Sequence, residues 1–291
     1  MAGPVFPIEL EREIFETTAL MHRKTIPALL RVAHRVLLEP LLYRVLIIGS
    51  DDGVSNAVRR AMQTKPAGFF HKSVRHVAIT TLRSQEDSYA LLRLCTGLVS
   101  FSTLGYSFQP AILPILQKMT QMRKWSGHLN QLFGTPAAID FTHPFFRAIT
   151  HLDIFDTVTG NDMEAYVSLA AMSALTHLCL NGQVGEAFSW RVLDECAHLQ
   201  VLVNMWEEEI DTHLARAIAA NPPVSDKRFV VCLYYENYLK DWEVGARGAP
   251  IFGRRRTTLL SESAGGKSRR PVIGWTRPYT SANNRLQAVY Y

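Results

Sequence analysis

Segments with the spacing apolar-x-x-apolar-x-(apolar or small) recur along the chain. They are Val74, Val77 and Ile79; Leu98, Phe101 and Thr103; Met122, Trp125 and Gly127; Ile149, Leu152 and Ile154; Leu175, Leu178 and Leu180; Leu199, Leu202 and Asn204; and Phe229, Cys232 and Tyr234. Their first positions differ by 24, 24, 27, 26, 24 and 30 residues. Alternation within each segment predicts a short strand with one face turned to a core. The stretches between them carry apolar residues three and four apart: Tyr89, Leu91, Leu92 and Cys95 before the second segment, Ile112, Ile115, Leu116 and Met119 before the third, and Tyr166, Leu169, Ala170 and Ser173 before the fifth. That spacing predicts helices lying on the same core.

A strand and a helix repeated every 20 to 29 residues around L-x-x-L-x-L is the leucine-rich-repeat pattern, and all but the last interval fit it. Ile149-Thr150-His151-Leu152-Asp153-Ile154 and Leu175-Thr176-His177-Leu178-Cys179-Leu180 are near copies. The Asn or Cys that usually follows three positions after the third apolar site is missing, because Thr157 and Gln183 stand there, and only the last unit has Asn237. The expected fold is α/β: an irregular leucine-rich-repeat-like solenoid of parallel strands and helices over residues 73–252. A non-repetitive α/β fold is the other reading of the same alternation.

Residues 5–48 have a different character and predict a short helical segment. Pro7 suits a first helical turn, and Glu9, Glu11 and Glu13 favour the positive end of that helix. Leu10, Ile14 and Phe15 are expected to face inward. A second helix is signalled by Thr25 as cap and Pro27 in the first turn, with Leu29, Val32, Ala33, Val36 and Leu37 on one face. Pro40 is expected to interrupt it, leaving Leu41, Leu42 and Tyr43 as an apolar knot. Residues 49–72, with Gly49, Gly53, Pro66 and Gly68, read as a connector.

Composition adds limits. With 47% hydrophobic and 20% charged residues the chain has enough apolar surface for a core. Arg31, Arg35, Glu39, Arg44 and Arg93 break its longest apolar runs, so no transmembrane span is expected. Glu9, Glu11 and Glu13 fall where a signal peptide would be apolar, which points to cytoplasm or nucleus. Cys95, Cys179, Cys196 and Cys232 form no C-x-x-C pair and read as buried free thiols, with no metal site expected. The net charge of +5 is uneven: residues 254–291 hold eight Lys or Arg and one acid, leaving 23 basic and 25 acidic residues before them. Residues 253–291 therefore read as a basic, disordered tail capable of weak polyanion binding.

Catalytic signatures are missing. No H-E-x-x-H, G-x-S-x-G or G-x-G-x-x-G occurs, and Gly265-Gly266-Lys267-Ser268 lacks the leading glycine of a phosphate loop, since Ser261 stands there. No catalytic residue and no cofactor are expected. His151 and His177 recur in repeat register and are expected on the exposed side of the strands. Trp206 with Glu207, and Tyr234 with Tyr235, are candidate target contacts because large aromatics anchor protein interfaces; the plainer reading of the Trp206 cluster is a solvated loop.

Phe6-Pro7-Ile8-Glu9-Leu10 with Ile14-Phe15, then Leu29-Leu30-Arg31-Val32, then Pro40-Leu41-Leu42-Tyr43, has the order and spacing of an F-box. Over about residues 5–250 the chain resembles a large family of basidiomycete F-box-like proteins with degenerate leucine-rich repeats. Leu92 to Gly97, Ile149 to Asp153 and Asp241 to Gly248 carry the rest of the likeness. The family pattern has a few more residues between Leu38 and Glu39, so the second helix is shortened here. The resemblance implies a non-enzymatic, substrate-recruiting adaptor of an SCF-type ubiquitin ligase. Pro7, Leu10, Ile14, Leu29, Val32, Leu41, Leu42 and Tyr43 would then bind a Skp-type adaptor, itself joined to a cullin scaffold, while the repeats hold a target protein. One alternative is a repeat module without a ligase role, its N-terminal helices acting only as a cap. Another is nucleic-acid association through the tail.

Overall fold

Each recurring apolar segment holds one strand. The computed structural model describes residues 7–32, 35–49, 52–80, 85–104, 109–158, 163–234, 238–247 and 258–260. Its strands are β1 (Val45–Ile48), β2 (His76–Ile79), β3 (Ser100–Thr103), β4 (Lys124–Gly127), β5 (His151–Ile154), β6 (His177–Asn181), β7 (Val201–Glu207), β8 (Phe229–Tyr234) and β9 (Thr258–Leu260). They form one open sheet in chain order, with β1 to β8 parallel and β9 antiparallel to β8. Val77, Phe101, Trp125, Leu152, Leu178 and Leu202 are register partners across β2 to β7, and all are buried. The fold class is thus α/β with a parallel sheet.

Parallel neighbours need a crossover between strands. Here the crossovers contain α4 (Asp52–Thr64), α5 (Phe69–Ser73), α6 (Gln85–Leu94), α7 (Leu113–Leu116), α8 (Leu129–Phe133), α9 (Glu186–Glu195) and α10 (Glu208–Ala220). Between β3 and β5 the helical pieces are short and partly 3-10, because Pro110, Pro114, Pro136 and Pro144 each start a turn. Phe141, Phe145 and Phe146 fill the core there.

Two expectations about boundaries are corrected. Residues 49–72 are not a mere connector: they contain α4 and α5, and α4 buries only Val58 and Ala61 among polar neighbours, too sparse an apolar stripe to stand out. β1 lies within 5–48 yet belongs to the sheet, so strand and helix alternation begins before residue 73. In the last unit, Phe229 pairs with Leu202 and Val231 with Asn204, 27 positions apart rather than 30. Cys232 pairs with Met205 and clusters with Val203 and Cys179 on the opposite face. The run Phe229-Val230-Val231-Cys232-Leu233 is apolar at every position, so alternation offered no register there.

The N-terminal helices are α1 (Ile8–Met21), α2 (Ile26–Val32) and α3 (Arg35–Tyr43). They close over Ala19, Ile26 and Leu38, with Phe15, Leu29, Leu30, Leu41 and Leu42 around them. Pro40 lies inside α3 instead of ending a helix; burial of Leu38 and part of Leu41 and Leu42 offsets the one backbone bond it removes. The expectation of a disordered tail is corrected at residues 258–260, which form β9, while the rest of 253–291 lies outside the described residues.

The face of the sheet away from these crossovers is also covered. α11 (Tyr238–Ala246) packs there, Trp242 against Val45 and Ala78, and Tyr238 against the Cys179, Val203 and Met205 cluster. Small side chains at Ala78, Ser102 and Ser126 leave room for it. The four cysteines are buried free thiols, in keeping with their apolar settings. Among the described residues no helix is long and apolar enough to cross a membrane.

Candidate functional site

Period-two alternation places two rows of residues on the face that α11 covers. His76, Ser100, Lys124, His151 and His177 are register partners at the first row; Ala78, Ser102, Ser126, Asp153 and Cys179 form the second. α11 closes the second row and leaves the first half-covered. Between them lies a cleft lined by His76, Ser100, Lys124, Ser126, His151 and Trp242, with an open interior of about 40 Å³, room for two or three waters.

The Thr-His pairs fix two of the imidazoles. Thr150 Oγ1 donates to the Arg123 carbonyl at 3.1 Å and so accepts from His151 Nδ1 at 2.8 Å. Thr176 Oγ1 donates to the Thr150 carbonyl at 3.0 Å and accepts from His177 Nδ1 at 2.8 Å. Both rings therefore carry their proton on Nδ1 and leave Nε2 as an acceptor. They stack with centroids 4.1 Å apart and planes 4° from parallel.

Burial first, and then nearby cations, keep this row neutral. The His151 imidazole is pushed down to about 3 by burial, Lys124 and His177, and that of His76 to about 4 by burial, Arg44, Lys124, Arg247 and Arg75. Burial and Lys124 lower His177 as well. Lys124 is itself lowered by burial. In the second row burial raises the Asp153 carboxyl to about 6, against hydrogen bonds from Tyr238 and Cys179. The Tyr238 hydroxyl donates to Asp153 Oδ2 at 2.6 Å, and burial followed by that carboxylate holds the phenol well above its usual range.

Stability should consequently fall with acid. Below about pH 6.5 the unfolded chain takes up protons at these histidines that the folded chain refuses, so their contribution is lost as pH drops toward about 4. Asp153 acts oppositely, since its folded carboxyl keeps a proton that the unfolded one releases, and that contribution disappears as pH rises through about 6. Three histidines outnumber one carboxyl. The melting midpoint should drop between pH 6.5 and 4.5, and His151→Gln should flatten that slope; an equal slope in the variant would remove His151 from the account.

The expected adaptor-binding residues separate into two groups. Leu10 and Ile14 are 48% and 51% exposed, and Pro7 is exposed at the same end of α1, so the expectation that Leu10 and Ile14 face inward is corrected. α1 has one inward stripe, and Phe15 and Ala19, four apart, occupy it. Leu29, Leu41 and Leu42 are half-buried against that cluster. Tyr43 sits edge-on to Phe69 and Phe70 at 5.2 and 6.0 Å, packed against the core of the sheet. Val32 ends α2, with its side chain outside the described residues.

Trp206 is corrected as a target contact. It is 4% exposed, packed on Ala215, Val231 and Leu233, with Nε1 donating to Asn204 Oδ1 at 2.6 Å. Leu202, Asn204 and Trp206 alternate onto the core face, which a reading of the acidic run after it as a loop overlooked. Glu207 is half-buried where β7 ends, and Tyr234 pairs with it in β8. Tyr235 lies outside the described residues.

Sequence reasoning gave Lys124, Asp153, Tyr238 and Trp242 no joint role. Two signals were available: Asp153 interrupts an apolar strand where its near copy has Cys179, and Tyr238 and Trp242 stand four apart on one helix face. Among the described residues, no group of three or more His, Cys, Asp or Glu could hold a metal ion. Compared with known proteins, the chain matches no family model and no curated sequence, so its function has to be read from these residues.

Proposed function

We propose that this protein is a non-enzymatic, substrate-recruiting adaptor of an SCF-type ubiquitin ligase. The observation that carries this reading is the outward apolar row of Pro7, Leu10 and Ile14 on α1, borne by a small helical cluster distinct from the core of the sheet. Large apolar side chains half in solvent are the surface a partner helix covers. A Skp-type adaptor docks there and brings the cullin scaffold, and the sheet and its helices hold the target. Bond-making chemistry belongs to the partner enzymes, and this chain contributes proximity. The strand and helix units form an irregular leucine-rich-repeat solenoid on this reading, supported by eight parallel strands in chain order with the same apolar position recurring in register.

A second reading is favoured by contacts at the other side of the helical cluster. Glu39 and Lys65 pair at 2.5 Å, largely buried, and Tyr43 stacks edge-on to α5, so the helices also cap the β1 end of the sheet. Capping uses Glu39 and Tyr43, whereas the adaptor face uses Leu10 and Ile14.

That division makes the test clean. The wild-type protein should retain a Skp-type adaptor in a pull-down, and Leu10→Asp with Ile14→Asp should reduce retention at least tenfold while shifting the melting midpoint little, because both positions are exposed. No retention by the wild type, under conditions where a known F-box protein succeeds, would leave the capping role alone standing.

A further inference from the structure

We propose that the cleft between Lys124 and α11 is the target contact of this protein, and that it accepts a side-chain carboxylate from an acidic segment of a protein partner. This deepens the target-holding half of the reading above and rests on it only for the ligand being a protein.

The charges acting on His76 are all positive: Arg44, Lys124, Arg247 and Arg75. Arg75 donates to the main-chain carbonyls of His71 and Gly97 at 3.1 and 2.8 Å, contacts that hold the guanidinium in place without neutralising it. Glycine is needed at 97, since a Cβ there would collide with Arg75 and with the His71 carbonyl. Arg247 has Glu243 beside it, and the Asp153 carboxyl is engaged by the Tyr238 hydroxyl behind the cleft. The field at the opening therefore favours an anion.

A buried polar atom points the same way. His76 lines the cleft, and its Nδ1 is buried with no hydrogen-bond partner; a ligand oxygen would satisfy it. Ser100, Ser126 and Lys124 bring further polar groups to the same cleft, and Trp242 forms an apolar wall along which the methylenes of an Asp or Glu can lie. Room for two or three waters suits the flat, two-oxygen head of a carboxylate. A phosphate in a nucleic-acid backbone is bulkier and sits too close to its chain to reach behind α11. With the remaining inner face closed by α11, this is where an incoming side chain meets the sheet.

The test is fluorescence anisotropy of fluorescein-labelled hexaglutamate with the full chain at physiological salt. Lys124→Met should weaken binding at least tenfold, and Arg247→Gln about threefold. The basic residues after 253 are unchanged in both variants, so binding through them would not move, and equal affinity of wild type and both variants overturns the proposal. Single-stranded DNA of equal charge that showed the same loss on Lys124→Met would also overturn it. Arg247→Gln lies on a half-exposed side chain and keeps the test open if Lys124→Met unfolds. Failure to retain a Skp-type adaptor would leave the hexaglutamate result untouched, so the two proposals fail separately.

Discussion

Leu152→Ala and Leu178→Ala should each destabilise the fold by about 2–5 kcal/mol, as deletions of fully buried leucines do. Both side chains are 0% exposed and are register partners on adjacent parallel strands, flanked by Trp125 and Leu202 at the same position of the next strands. The space each vacates is walled by backbone already committed to ladders on both sides, so it closes poorly and the cost belongs in the upper part of the range. Because the two cavities touch, the double variant should depart from additivity by about 0.5–3 kcal/mol. Urea titrations of the single and double variants measure all three numbers. Single variants with the wild-type midpoint would mean that the two leucines do not share a core position. Asn181→Ala, at the half-buried end of β6, serves as the comparison and should cost far less.

The same pair shows why much of the sheet was legible in the sequence. Where a strand alternates, as in Ile149-Thr150-His151-Leu152-Asp153-Ile154, spacing fixes both its existence and its inward face, and β2 to β7 are where the apolar triplets place them. Where alternation lapses, as in Phe229 to Leu233, the strand was found and its face was misread. β1 and α4 were missed for related reasons: Val45–Ile48 is a four-residue apolar run behind another apolar cluster, and α4 shows the core only Val58 and Ala61. The cleft was beyond reach of a linear reading, since it joins His76, Lys124 and His151 to Trp242, residues from four different segments brought together by the return of α11 across the sheet. Neither the small residues at Ala78, Ser102 and Ser126 nor the Tyr238 and Trp242 pair announces that return alone. Complementarity between the two stretches does, and it becomes visible only with the strands in register.

Trp242→Ala should remove that return, with a loss of about 3–5 kcal/mol, the range for buried aromatics cut to alanine. α11 has nine residues, too few to be stably helical without packing. Its hold on the sheet comes from one stripe: Trp242, 4% exposed against Val45 and Ala78, and Tyr238 one turn earlier, edge-on to Phe155 at 5.0 Å and bonded to Asp153. Removing the indole takes away the larger anchor, so the helix should fray and admit water to the inner face. The signature that separates this from simple loss of core is electrostatic. Burial is the first cause of the raised Asp153 carboxyl and of the lowered His76 and His151 imidazoles, so in the variant all three should titrate closer to their ordinary ranges, and the slope of stability between pH 6.5 and 4.5 should shrink. Tyr238→Phe provides the contrast, because it keeps the ring and deletes only the hydroxyl that donates to Asp153, and it should cost about 1–3 kcal/mol with the helix still in place. Histidine titration by NMR in the two variants distinguishes the outcomes: imidazoles that remain depressed in Trp242→Ala would show that the inner face stays dry without the indole, and that α11 is anchored elsewhere.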